Sequence, residues 1–261
     1  MARAPARRWW KRPRNSKRGW TSWRCYPTAR TPAARARVLE CLGHGVQYCQ
    51  GFTAPETERA YARARELWEQ LGSPSECLHV PFGQSRCHSI RGEFDVALRL
   101  DEHLLRVSGQ RNDSAGLILG HLSLARDLVF AGRFSPSRSH LEEGLALYDP
   151  ISHLALVRQA AVYPQIVLRE QLAFALFCLG YPRQASAQSD AALAEARSLA
   201  HLPSLALSLE FGTRLLSLDG ETVALKERVE QLLAIATEQG FPHWRVVGAF
   251  ISAGSRSKMV M

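Results

Sequence analysis

The densest group of metal-ligating residues in this sequence is Cys77, His79, Cys87 and His88, four zinc-type donors within twelve residues. Zinc needs four donors converging tetrahedrally, and structural sites space them in short paired motifs. The pattern C-x-H-x7-C-H has no such pairing, and the adjacent Cys87 and His88 would point apart on a helix. These residues read as buried thiols and surface histidines. Nucleophilic catalysis requires a Ser or Cys beside a base that a third group orients. None of the nine histidines sits in a recognisable elbow, and no G-x-S-x-G occurs. His121 falls on the apolar face of a helix and is expected in the core, and Glu142, Glu143 and Glu221 read as solvated faces. No G-x-x-x-x-G-K-[ST] loop is present to cradle phosphates. The expectation is no enzymatic activity, no catalytic residue, no cofactor and no metal.

Charge is uneven along the chain. The 261 residues carry +9, of which +12 lies in residues 1–39, so residues 40–261 sum to −3. Residues 1–35 are rich in Arg, Pro, Ser and Thr and hold Trp9, Trp10, Trp20 and Trp23 without helical or strand periodicity. They are expected to form a disordered tail. Arginines interleaved with tryptophans could neutralise phosphates and stack on unpaired bases, so nucleic-acid binding through residues 1–35 is an alternative function. The six cysteines lack a disulfide spacing, no secretory signal follows Arg7-Arg8, and no stretch is apolar enough to span a membrane. A reduced, cytoplasmic protein without a membrane partner is the expectation.

The elements are set by a repeat. Glycines separating apolar runs fall at Gly51, Gly92, Gly132, Gly180 and Gly220, spaced 41, 40, 48 and 40 residues apart. Leu124-Ala125-x-x-Leu128-x-x-x-Gly132 matches Leu172-Ala173-x-x-Leu176-x-x-x-Gly180, and Gly212-Thr213-x-x-Leu216-x-x-x-Gly220 keeps the small residue and leucine. Thirteen residues after the glycine stands Leu105, Leu145, Leu193 or Leu233. Leucines at i and i+4 share one helix face, the small residue admits a neighbouring helix, and the glycine ends the first helix of each pair. The spacing therefore predicts an all-α, tetratricopeptide-like α-solenoid of antiparallel helix pairs, about four to five units, over residues 36–255. Residues 256–261 are expected to fray. A capping box at Thr53 and Glu56 would open one helix. Pro81 and Gly83 predict a short, distorted or poorly packed helix before Gly92.

Gly92-Glu93-Phe94-Asp95-Val96-Ala97 is similar to the helix-turn-helix junction of the tetratricopeptide repeat. Gly51-Phe52-Thr53-Ala54-Pro55-Glu56 with Tyr61–Leu67, Leu145-Ala146-Leu147-Tyr148-Asp149-Pro150, and Ala236-Thr237-Glu238-Gln239-Gly240-Phe241-Pro242 resemble the C-terminal helical repeats of large bacterial signalling ATPases. Proteins of that family carry an N-terminal nucleotidyl cyclase or DNA-binding domain and an ATPase module, and no matching motif occurs in this chain. The resemblance implies a non-catalytic protein–protein or interdomain scaffold, the repeat arm of a signalling protein. A second expectation is a truncated or frame-disrupted member of that family lacking its catalytic domains. The tetratricopeptide register places Leu119, Leu122, Arg126, Val129, Phe130, Val167, Glu170, Phe174 and Phe177 on the inner face, toward a protein or peptide partner. Leu124, Leu128, Leu172, Leu176 and Leu193 are expected in the core. Arg126→Ala is expected to leave stability nearly unchanged.

Overall fold

Four of the five apolar–glycine punctuations turn into helix boundaries, and the fifth, Gly51, lies outside the described residues. The computed structural model describes residues 55–258; the basic tail, residues 36–54 and Thr53 of the expected capping box lie outside them. Within the described residues the order is α1 (Pro55–Gln70), a 3-10 turn (Ser75–Cys77), α2 (His79–Ile90), α3 (Phe94–Gln110), α4 (Ser114–Phe130) and α5 (Phe134–Leu147). Then follow α6 (Leu156–Ala160), α7 (Pro164–Cys178), α8 (Pro182–Ser198), α9 (Leu202–Asp219), α10 (Thr222–Glu238) and α11 (Pro242–Lys258). No strand occurs among the described residues.

The repeat glycines act as the spacing predicts. Gly92, Gly132, Gly180 and Gly220 all take positive φ, between 73° and 86°, where a Cβ would be strained. Each is followed by an amide that reaches back five residues along the ending helix. Arg133 N donates to Leu128 O at 2.8 Å, Tyr181 N to Leu176 O at 2.9 Å, and Glu221 N to Leu216 O at 3.1 Å. This is the Schellman closure, which satisfies orphaned carbonyls and reverses the chain.

Two layers result. Helices α2, α4, α7 and α9 precede the glycines and form layer A; α3, α5, α8 and α10 follow them and form layer B. Each helix packs on its successor, the short α6 apart, and every A helix also packs on the next A helix, with α11 closing the row. No pair of B helices packs as closely. The layer whose members touch lies inside the curve and the layer that fans apart lies outside. This is an all-α solenoid of four complete pairs, flanked by α1 and α11.

The interlayer seam is lined by the residues the repeat singles out. Ala97, Ala125, Ala173 and Ala185 are buried, as are Ser137 and Gly212, which permits close helix approach. Ser137 Oγ donates to Ala125 O at 2.8 Å, joining the small residues of α5 and α4 directly. Leu124, Leu128, Leu172, Leu176 and Leu193 are all buried, as expected of core positions. The 48-residue unit accommodates residues 148–163, where α6 contributes buried Leu156 to the main apolar cluster. His153 of that connection accepts from the amide of Asp149 at 3.0 Å and pairs with Ser114 Oγ at 2.8 Å.

One expectation is corrected. Helix α2 is short, yet it is continuous and well packed, with Val80, Pro81, Gly83, Ser85 and Cys87 buried. Pro81 occupies the first turn, where its missing N–H would have no intrahelical partner anyway. Gly83 is a contact glycine: a Cβ there would stand 2.5 Å from the ring of Tyr61 on α1. Both residues that look disruptive in the sequence fit their positions.

Candidate functional site

Of the nine expected surface residues, the structure leaves five within reach of solvent. Arg126, Val129, Phe174 and Phe177 are partly exposed, and Phe130 is exposed. The other four, Leu119, Leu122, Val167 and Glu170, are buried. The three apolar ones belong to the main cluster together with Leu156 of α6. The A helices are covered by B helices on both sides and by one another, so only their C-terminal halves open outward. That expectation is therefore corrected for these four residues, whose side chains leave no surface for a ligand.

The open strip has a second component that mapping only two units missed. Two residues before the repeat glycine stand Ile90, Phe130, Cys178 and Leu218, on four successive A helices. Ile90, Phe130 and Leu218 are 47%, 58% and 55% exposed, and Cys178 is exposed as well. The ring of Phe130 stacks on Phe94 at 5.9 Å, tying the row to the preceding A-to-B junction. Six residues before the glycine the register reads Arg86, Arg126, Phe174 and Arg214, of which Arg86 and Arg214 are exposed. An apolar row flanked by guanidinium groups is the chemistry this strip offers.

Arg126 is not a free surface cation. Its guanidinium holds fully buried Asp127 at 2.8 Å through Nε and 3.0 Å through Nη2. It also donates to Ser85 Oγ at 3.1 Å and lies over the ring of Phe82. Burial pushes the Asp127 carboxyl up, but the charge and hydrogen bonds of Arg126 outweigh it and hold the group below its ordinary range. Asp101 of α3, also fully buried, accepts from Ser123 Oγ at 2.6 Å. Burial raises Asp101 well above its ordinary range, against the pull of Arg126 and with the push of Asp127. Burial thus favours the protonated form of Asp101, while Arg126 favours the anion of Asp127. The expected neutrality of Arg126→Ala is corrected: the substitution would strand Asp127 in a dry site, a loss of about 3–5 kcal/mol.

The next unit places its buried acid elsewhere. Glu170 accepts from Ser208 Oγ of α9, and burial pushes it up to about 8 despite bonds from Ser208 and Ser189 and the charge of Arg228. Glu210, at the same register position one unit later, accepts from Trp244 Nε1 at 2.9 Å and pairs with Arg214. Burial pushes Glu210 up, but His243, Arg214 and Trp244 together pull it below its ordinary value.

The Cys/His quartet does not converge. His88 Nδ1 pairs with Glu93 at 2.6 Å, and burial pushes the Cys87 thiol up to about 12, so it stays protonated and a poor ligand. Another trio does meet. His121 of α4 approaches His140 and Glu143 of α5. His121 is buried, as expected, and burial lowers its pKa. Glu142 pairs with Arg138 at 2.7 Å and takes no part. The signal that could have found the trio was the i,i+3 spacing of His140 and Glu143 opposite a buried histidine.

No known family matches the sequence, and no curated protein does. Among solved structures the chain is similar to a Rap protein complexed with Competence and Sporulation Factor, at 13% identity and a TM-score of 0.65. The match covers 84% of this chain and 58% of that one, so this chain spans well under two thirds of that protein's length. The likeness establishes the tetratricopeptide-like helical-repeat fold. None of the helices among the described residues is long and apolar enough to cross a membrane.

Proposed function

We propose that the chain is a non-catalytic scaffold that binds a protein or peptide segment along the open strip of layer A. The observation that carries this is the row Ile90, Phe130, Cys178 and Leu218, which repeats an exposed, mostly apolar side chain at one register position on four helices. A row of large apolar side chains left in water is a recognition feature. Val129, Phe174 and Phe177 extend it. The solved Rap protein holding a factor supports the reading by likeness of fold. The three phrases resembling bacterial signalling ATPases support a role as the repeat arm of a signalling protein.

The test replaces Ile90, Phe130 and Leu218 with serine together and compares capture of partners from the native cell. The expected result is loss of a partner that wild type retains, with an unchanged helical spectrum and melt. Retention of every partner by the triple variant would overturn the proposal. A second reading rests on the composition of residues 1–35, whose arginines and tryptophans suit single-stranded nucleic acid. It predicts binding that weakens steeply with salt and disappears when those residues are deleted.

A further inference from the structure

The geometry points to a binding site for a zinc-class divalent cation on the α4–α5 pair, formed by His121, His140 and Glu143. The distances carry it. His121 Nδ1 lies 3.0 Å from His140 Nδ1 and 3.4 Å from Glu143 Oε2, and the three donor atoms all fall within 4.8 Å of one another. Tetrahedral zinc with bonds of about 2.0–2.1 Å sets its ligand atoms about 3.3–3.4 Å apart. Two of the donor separations are already close to that value. Two imidazole nitrogens facing each other at 3.0 Å also need a positive centre between their lone pairs. A single shared proton supplies it, and a cation can replace that proton.

The scaffold fixes the trio from both layers. His121 is buried on the A helix, while His140 and Glu143 stand one turn apart on the B helix and share a face. Gly144 lets the helices close at this level, because a Cβ there would stand 2.9 Å from Leu168 Cδ2 and 3.4 Å from His121 Cβ. The equivalent contact in the next unit is an ordinary hydrogen bond, Arg169 Nη1 to Gln188 Oε1 at 3.1 Å, and the unit after that has Leu209 and Arg228. A cross-layer contact at this register is a feature of the repeat; three ligating atoms there are particular to the Gly132 unit. Two imidazoles and one carboxylate suit zinc and its neighbours better than calcium or magnesium, which prefer all-oxygen sites. Glu143, 60% exposed, leaves the fourth position toward water.

The test titrates zinc chloride into the metal-stripped full chain by calorimetry and repeats it with cobalt, whose visible bands report tetrahedral geometry. The expected result is one saturable equivalent, tetrahedral cobalt bands, and a higher melting temperature in zinc. His140→Ala and Glu143→Gln, both reaching solvent and checked for unchanged helicity, should each weaken binding at least tenfold, a loss that even outer-shell changes can cause (about 10–100-fold). Absence of a saturable equivalent would overturn the site. Equal binding by wild type and His140→Ala would overturn it too, since the cation would then be held elsewhere.

Discussion

Helices α4 and α7 occupy equivalent places in successive units, yet they bury opposite chemistry. Five and six residues before its glycine, α4 has Asp127 and Arg126, where α7 has Ala175 and Phe174. Ten residues before, α4 has Leu122, where α7 has Glu170. The leucine pairs, the small residues and the closing glycines are shared, so the backbone is shared. What differs is where each helix keeps its buried charge, and in which protonation state. The repeat fixes positions, and each position is then free to hold an ion pair, a neutral acid or an aromatic ring.

The largest effect should come from breaking the buried pair of α4. Asp127→Ala leaves Arg126 without its carboxylate and should cost about 3–5 kcal/mol in urea unfolding. Importing the α7 residues, Arg126→Phe with Asp127→Ala, should recover most of that loss, because a buried ion pair can be replaced by apolar packing at little net cost. A double variant as unstable as the single one would show that the two helices are not interchangeable at this level. Next in size, Leu128→Ala and Leu176→Ala remove the same core leucine from the two units. Each should cost about 2–5 kcal/mol, with similar values for both.

The acids offer a finer contrast through pH. Glu170 is raised to about 8 in the folded chain, so the native state holds a proton that the unfolded chain loses near its ordinary value of 4.5. Its contribution is therefore complete below about pH 4.5 and falls as pH rises toward 8. Glu170→Gln should flatten that decline by an amount on the order of a few kcal/mol. Asp101 is raised for the same primary reason, so the readout is the difference between wild type and variant. Glu210 has the opposite sign: its lowered value stabilises above the unfolded value and is lost as pH falls, so Glu210→Gln should cost stability at neutral pH. The smallest effect is expected at the open strip. Phe130→Ala should change stability by no more than about 0.5 kcal/mol.

Most of the architecture was legible because glycine spacing and leucine periodicity report the backbone directly. The layer-A surface was legible only in part. Leu119, Leu122, Val167 and Glu170 fall on the face that a generic repeat exposes, but α6 and the close stacking of A helices bury them. The role of Arg126 was hidden for a different reason. Neighbours on a helix point in different directions, so the pairing with Asp127 emerges only when Ser85 and Asp101 close around both. Pro81 and Gly83 look like defects until the first-turn position and the ring of Tyr61 explain them.

The central claim, that the open strip of layer A is where a partner docks, is tested most directly by site-specific photo-crosslinking in the native cell. A photoreactive residue at position 130 should yield a discrete adduct, and the same residue at position 191, exposed on the outer helix α8, should yield none. Adducts from position 191 without any from position 130 would put recognition on layer B and contradict the account.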